Sequence, residues 1–186
     1  MAEPLRRLFT RDEYYAMAEA GILKPADRVE LIEGEIFRMT PIGKGHAGCV
    51  NHVNRLFTAP LADRAVVAVQ NPVYLNNFSE PEPDIAVLRF RSDFYRGDHP
   101  TPDDVLLLIE VADSSLEHDR RRKIPLYARS GIPETWLVNL NDNVLEVYRA
   151  PSRDGYREVR RLRRGDRIAP LAFPDLVIPV DAILPL

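Results

Sequence analysis

Two carboxylates set the chemistry that this sequence can attempt. Pro83-Asp84 opens the apolar run Ile85 to Leu88, and a second run, Val105 to Ile109, delivers Glu110. Both runs are short, rich in Val, Ile and Leu, and bounded by Pro, Asp or polar segments, the pattern of a buried strand rather than of a longer helix. If the two strands pair, Asp84 and Glu110 converge on one cation. A hard divalent ion such as magnesium needs only one or two protein carboxylates, keeps several waters and leaves room for a phosphate oxygen. Phosphodiester hydrolysis is the chemistry that such a pair serves, because it requires charge neutralisation at a nonbridging oxygen and hydroxide near neutral pH. Lys123 lies downstream in a basic segment that can fold back over the same sheet.

The bulk properties fit one domain, residues 1–186. A chain of 186 residues with 45% apolar and 28% charged residues is long enough for a sizeable core and is ordinary for a globular protein. No stretch approaches the roughly 20 apolar residues of a membrane span, and Met1 to Arg11 has no apolar signal core, so the expected location is intracellular and cytoplasmic. The single cysteine, Cys49, excludes an internal disulfide and a cysteine-built zinc cage, and reads as a small apolar helix residue. Of 25 basic residues 22 are arginine, on a chain of net charge -3, so any positive surface is local. Arg120, Arg121 and Arg122 beside Lys123 form one such run, and six arginines between Arg157 and Arg167 form another. They are either phosphate contacts or solvated faces.

The elements that must position these residues can be read in order. Thr10 with Glu13 makes a capping box, Phe9 and Tyr14 a hydrophobic staple, and Gly21 a stop, which predicts a helix between them. Alternating apolar positions on either side of Glu33-Gly34 predict a hairpin from Arg28 to Met39, on which Glu30 can point into a site. The glycines from Gly43 to Gly45 lack Walker spacing, which argues against a nucleoside triphosphate loop. A helix from about His46 to Phe57 places His46, Val50, Val53 and Phe57 on one inward face, where His46 is either a hydrogen-bonded core residue or part of the site.

Further strands are predicted at Ala65 to Gln70, Pro133 to Asn139, Val144 to Arg149, Tyr156 to Leu162 and Leu176 to Val180. A helix is predicted between Ser115 and Ser130-Gly131. The result is an α/β (α+β mixed) domain, a central mixed sheet covered by helices.

The order Glu30-Leu-Ile-Glu-Gly-Glu35, His46 opening a helix, Pro83-Asp84, Glu110-Val-Ala, Asp119 with Lys123 and Tyr127, and Gly131-Ile-Pro-Glu-Thr-Trp-Leu-Val-Asn139 resembles the Uma-two-type restriction-endonuclease-like family of the PD-(D/E)XK nuclease superfamily. The resemblance runs from about Tyr14 to Tyr148. It implies a restriction-endonuclease-like mixed sheet with an added N-terminal helix and hairpin. It also implies that Asp84, Glu110 and the backbone carbonyl of Val111 ligate Mg2+ or Mn2+, with Lys123 near the attacking water. The superfamily motif places its lysine two residues after the glutamate, where this chain has Ala112, and Lys123 matches a displaced position on the next helix.

Glu30, His46 and Asp119 are the expected supporting residues, Asp119 as an i to i+4 partner holding the Lys123 ammonium. Pro125 predicts either a kink or a helix that begins only after it. Two functions are carried forward: a magnesium-dependent nuclease acting on DNA, with Arg120, Arg121 and Arg122 as phosphate contacts, and a noncatalytic member of the fold that binds nucleic acid or protein. A homodimer is the expected assembly, with Leu171 to Leu186 as its contact or else packed on its own domain.

Overall fold

The computed structural model describes residues 6–184. Its centre is a six-stranded sheet in the order β3-β4-β5-β6-β7-β8: Ala65–Val69, Ile85–Arg89, Val105–Ala112, Glu134–Asn139, Val144–Ser152 and Gly155–Leu162. All neighbours are antiparallel except β5 and β6. That parallel pair needs a crossover, and the helical segment between them supplies it. β5 and β6 are covered on both faces, which is why their sequences read as nearly continuous apolar runs.

One face packs Ile85, Val87, Leu107, Ile109 and Trp136 against helix α2 (Lys44–Leu61) and the C-terminal segment. Val50, Val53 and Phe57 form the buried side of α2 as their spacing requires, and Cys49 is buried beside them. The helix starts two residues before the expected His46 and runs four past Phe57, with Pro60 in its last turn. Phe173, Ile178, Val180, Ile183 and Leu184 are buried in the same core. The described part of the C-terminal segment thus packs on its own domain. Only Ile178–Pro179 of the strand expected there forms, as β10, paired with β9 (Arg167–Ile168).

The other face packs Ala86, Leu108, Ala112 and Leu137 against a helical segment and the hairpin β1 (Val29–Ile32) and β2 (Glu35–Arg38). Glu33 and Gly34 both take positive φ, 51° and 78°, at the hairpin turn. Helix α1 (Arg11–Glu19) has the expected capping box, and Gly21 (φ 72°) follows its end. Arg11 and Tyr15 fasten α1 to the buried Glu80 carboxylate. The crossover comprises α3 (Leu116–His118), a π-helical stretch Asp119–Lys123 and α4 (Ile124–Arg129). It is one continuous helical path, so Pro125 neither breaks it nor delays its start.

Glu134 locks the C-terminal segment down. Its Oε1 accepts from Trp136 Nε1 at 2.8 Å and Arg149 Nε at 2.8 Å, and its Oε2 accepts from the Leu171 N–H at 2.7 Å. Arg149 also donates to the Ala169 carbonyl at 2.7 Å. Arg149→Leu strands a fully buried carboxylate, and we expect it to cost about 3–5 kcal/mol in urea unfolding; a loss below about 1 kcal/mol would show that the pair is dispensable.

Candidate active site

Asp84 directly precedes β4, whose Ile85 is opposite Ile109 of β5. One step along that register puts Asp84 across from Glu110, on the same face of the sheet. Asp84 is 8% exposed and Glu110 3%. The Asp84 N–H donates to Glu110 Oε2 at 3.4 Å. Asp84 Oδ2 accepts from the Val111 N–H at 2.9 Å and His46 Nε2 at 3.1 Å, and Oδ1 from Gln70 Nε2 at 3.1 Å. Val111 thus turns its backbone toward β4. A continued ladder would pair its carbonyl with the N–H of residue 83, which proline lacks. Pro83 therefore offers that carbonyl no backbone N–H.

Lys123 reaches this pair from the π stretch. Its Nζ lies 3.0 Å from Glu30 Oε2 and 3.4 Å from Glu110 Oε1. Tyr127, one helical turn on, donates to Glu110 Oε1 at 2.5 Å. The expected Asp119–Lys123 pair is replaced by these contacts: Asp119 is buried but accepts from Ser115 Oγ at 2.7 Å, and Glu30 from the hairpin holds the ammonium instead. The Glu82 N–H fixes the same Glu30 oxygen at 3.1 Å.

Burial raises the Glu110 carboxyl to about 8, with Asp119 and Asp84 adding to the rise and Lys123 and Tyr127 opposing it. Burial also disfavours the charge on Lys123, but Glu110, Glu30 and Asp119 together outweigh it and hold the ammonium protonated. The two shifts describe one fact, a single cation shared among several carboxylates. Asp84 resists the upward push of burial through His46, Val111 and Gln70, and its pKa ends below the ordinary value. His46 is raised by the same bond, against its own burial. His46 Nδ1 is buried with no hydrogen-bond partner among the described residues.

Glu30, His46, Gln70, Asp84, Glu110, Asp119 and Lys123 line a cavity of about 450 Å³. Its walls carry six carboxylates (Glu30, Glu82, Asp84, Glu110, Asp113 and Asp119) against three fixed cations, Arg28, Arg38 and Lys123. Such an excess favours uptake of a cation. Among the described residues no three His, Cys, Asp or Glu side chains gather at metal-binding geometry. A zinc-type cage therefore does not fit. Two carboxylates, each with about one lone-pair direction left, and the Val111 carbonyl do fit a hard ion that keeps most of its waters.

The sequence-derived residues Asp84, Glu110, Val111, Lys123, Glu30, His46 and Asp119 all meet here. Arg120, Arg121 and Arg122 do not line the cavity. Arg120 is bonded to the buried Glu146, Arg121 lies 3.0 Å from Glu117, and Arg122 lies 3.4 Å from Glu35 and over the Phe37 ring. Gln70 was missed as a site residue; its signal was that an antiparallel β3–β4 pair sets the residue before Asn71-Pro72 opposite Asp84. Tyr127 was legible as a residue on the Lys123 face but not as a donor to Glu110.

Comparison with known proteins agrees with this geometry at the level of family and fold. The Uma2 family model, described as "Putative restriction endonuclease", matches residues 11–181, a longer span than the sequence resemblance covered. A crystal structure from Anabaena variabilis, titled as a putative nuclease belonging to DUF820, superposes with a TM-score of 0.74 at 15% identity, covering 94% of this chain and 97% of that chain. At that identity the likeness bears on the fold alone. No curated protein matches.

Arg120 has a structural partner whose contribution depends on pH. Burial pushes the Glu146 carboxyl up, but Arg120 and Tyr148 outweigh it and hold its pKa below the ordinary value. A depressed carboxyl contributes stability that is present above the unfolded-state pKa and lost as pH falls through the folded one. Arg120→Ala should therefore cost roughly 2–4 kcal/mol near neutral pH and progressively less below the ordinary carboxylate range. Urea midpoints at several pH values test this, and a cost that does not change with pH would refute it.

Proposed function

Because the chain belongs to the Uma2 family and gathers Asp84, Glu110 and Lys123 around one cavity, we propose that it is a metal-dependent nuclease hydrolysing DNA phosphodiester bonds. The observation that carries the reading is the Asp84–Glu110 pair at the end of β4 and β5, with an ammonium 3.4 Å from Glu110. Asp84, Glu110 and the Val111 carbonyl would hold Mg2+ or Mn2+, which supplies positive charge to a nonbridging phosphate oxygen and acidifies water.

The chain's own groups do the rest. His46 and Gln70 fix the Asp84 carboxylate by one bond to each oxygen. Glu30 and Tyr127 fix Lys123 and Glu110. The Lys123 ammonium offsets carboxylate charge at the cavity wall and donates to water entering there. Arginine in its place would present a broad fork that the space between Glu30 and Glu110 does not match.

A second reading, a noncatalytic nucleic-acid- or protein-binding member of the fold, draws on one observation. The Lys123 side chain is only 6% exposed and is closed between two carboxylates. Metal uptake without cleavage of any DNA by the wild type would select it.

Calorimetry with Mn2+ and a plasmid-cleavage assay test the nuclease together. Asp84→Ala and Glu110→Ala should lose metal binding and at least about 100-fold in cleavage. Lys123→Met should keep most metal binding and lose cleavage, and Lys123→Arg should restore little. Cleavage that survives both carboxylate variants or chelation would reject this site. Cutting both strands of a duplex calls for two such sites, and a twofold dimer supplies them. Sedimentation at micromolar concentration should show that dimer; a monomer alone would remove it.

A further inference from the structure

The cavity just described repels the substrate it is proposed to cut. A phosphodiester strand entering a wall with more carboxyl groups than fixed cations gains from positive charge beyond that of one bound ion. Lys123 cannot provide it freely, because Glu30 and Glu110 already hold its ammonium. The arginine run from Arg120 to Arg122 lies outside the cavity and is engaged with Glu146, Glu117 and Glu35.

Two arginines remain on the cavity wall. Arg28 and Arg38 stand at the open end of the β1–β2 hairpin, where Val29 pairs with Arg38 and the Met39 N–H donates to the Arg28 carbonyl at 2.8 Å. Among the described residues neither guanidinium has a carboxylate within 4 Å, although the Arg28 charge reaches Glu82 on the same wall. Arg28 is half-buried, and its backbone is left-handed (φ 44°, ψ 77°) where glycine would be easier. That conformation, costly for a side-chain-bearing residue, ends the short turn Pro25–Asp27 and starts β1. It also sets Arg28 on the wall between the first cavity and a second of about 540 Å³, which share Arg28, Ile42, Gln70 and Glu82. The second cavity adds Lys24 and the apolar surfaces of Tyr14 and Leu23. The two cavities adjoin along a shared wall that carries the Arg28 guanidinium beside the Glu82 carboxyl, and the second is part apolar beyond it.

We propose that Arg28 and Arg38 form the phosphate-binding pair of this cleft, gripping the backbone of a nucleic-acid strand next to the phosphate held at Asp84 and Glu110. This rests on the nuclease reading above. A guanidinium fork engages a phosphate through two parallel N–H bonds, and a guanidinium without a close carboxylate can do so without first breaking an ion pair. The second cavity receives the sugar and base of the adjoining nucleotide, with Lys24 at its far wall.

The test is binding of a fluorescent duplex oligonucleotide, read by anisotropy over a salt series. Calcium serves as the metal, a hard cation of looser geometry than magnesium. Arg28→Ala with Arg38→Ala should weaken binding at least about tenfold and flatten the salt dependence by about one unit of slope for each arginine removed. Its Mn2+ binding should be no weaker than that of the wild type, and its thermal melt should match. Arg28→Lys with Arg38→Lys, which keeps the charge and loses the fork, should recover part of the affinity and most of the slope. Arg121→Ala with Arg122→Ala should change affinity less than about twofold.

Wild-type affinity and slope in the Arg28/Arg38 double alanine variant would overturn the assignment while leaving the nuclease reading intact. An equal loss in the Arg121/Arg122 variant would overturn it as well. A wild-type chain that takes up neither Mn2+ nor duplex would bring down the nuclease reading, and this proposal with it.

Discussion

One buried ammonium joins three parts of this fold. Lys123 comes from the crossover helix, Glu110 from the central strand β5 and Glu30 from the hairpin, and their charged groups meet within 3.0 and 3.4 Å. Burying an ion costs several kcal/mol after relaxation, and leaving one partner without the other costs more than the pair gives back. The three elements therefore have to assemble together. The hairpin, which the family resemblance implies is an addition to the core sheet, is in this respect part of the site. Its backbone joins the same structure, since the Glu80 N–H donates to the Leu31 carbonyl at 2.8 Å.

The helix that delivers Lys123 solves a steric problem on the way. Pro125 cannot donate to the carbonyl four residues back, and its ring crowds that turn. The chain widens just before it: the Ile124 N–H bonds to the Asp119 carbonyl, five residues back. Positions four apart overshoot an α-turn by about 40° and fall short of a wider π-turn, so alternating the two keeps Asp119, Lys123 and Tyr127 nearly in line. All three are buried. A π turn at a proline is thus what lets this short helix present a carboxyl, an ammonium and a phenol on one side.

Much of this was legible because it depends on local rules. The capping box at Thr10, the turn at Glu33-Gly34, the inward face of α2 and the stop at Gly131 are each specified within a few residues, and each is where those residues require it. The two carboxylate strands were legible for the same reason. What could not be read depends on contacts distant in sequence. Gln70 meets Asp84 only because β3 and β4 pair in one register. Glu30, 93 residues before Lys123, displaces the i to i+4 partner that local spacing favoured. The engagement of the arginine run could not be read either, since sequence alone does not show that Arg120 is bonded to Glu146.

The place of the lysine follows from the packing of the sheet. Glu110 and Ala112 point to the same side of β5, the side covered by the crossover helix, and Ala112 is completely buried in the cluster that also holds Ile124 and Leu137. A lysine at position 112 would have to thread its stem beneath that helix or push the helix off the sheet, and overpacking of this kind costs about 1–3 kcal/mol before the charge is counted. A small residue at that point lets the helix lie close. The close helix then brings an ammonium to Glu110 from above the sheet rather than along the strand. Moving the cation onto the helix also brings Tyr127 to the same carboxylate, which a strand lysine would not. Ala112 and Lys123 are in this sense one feature: the alanine makes the approach possible, and the lysine uses it.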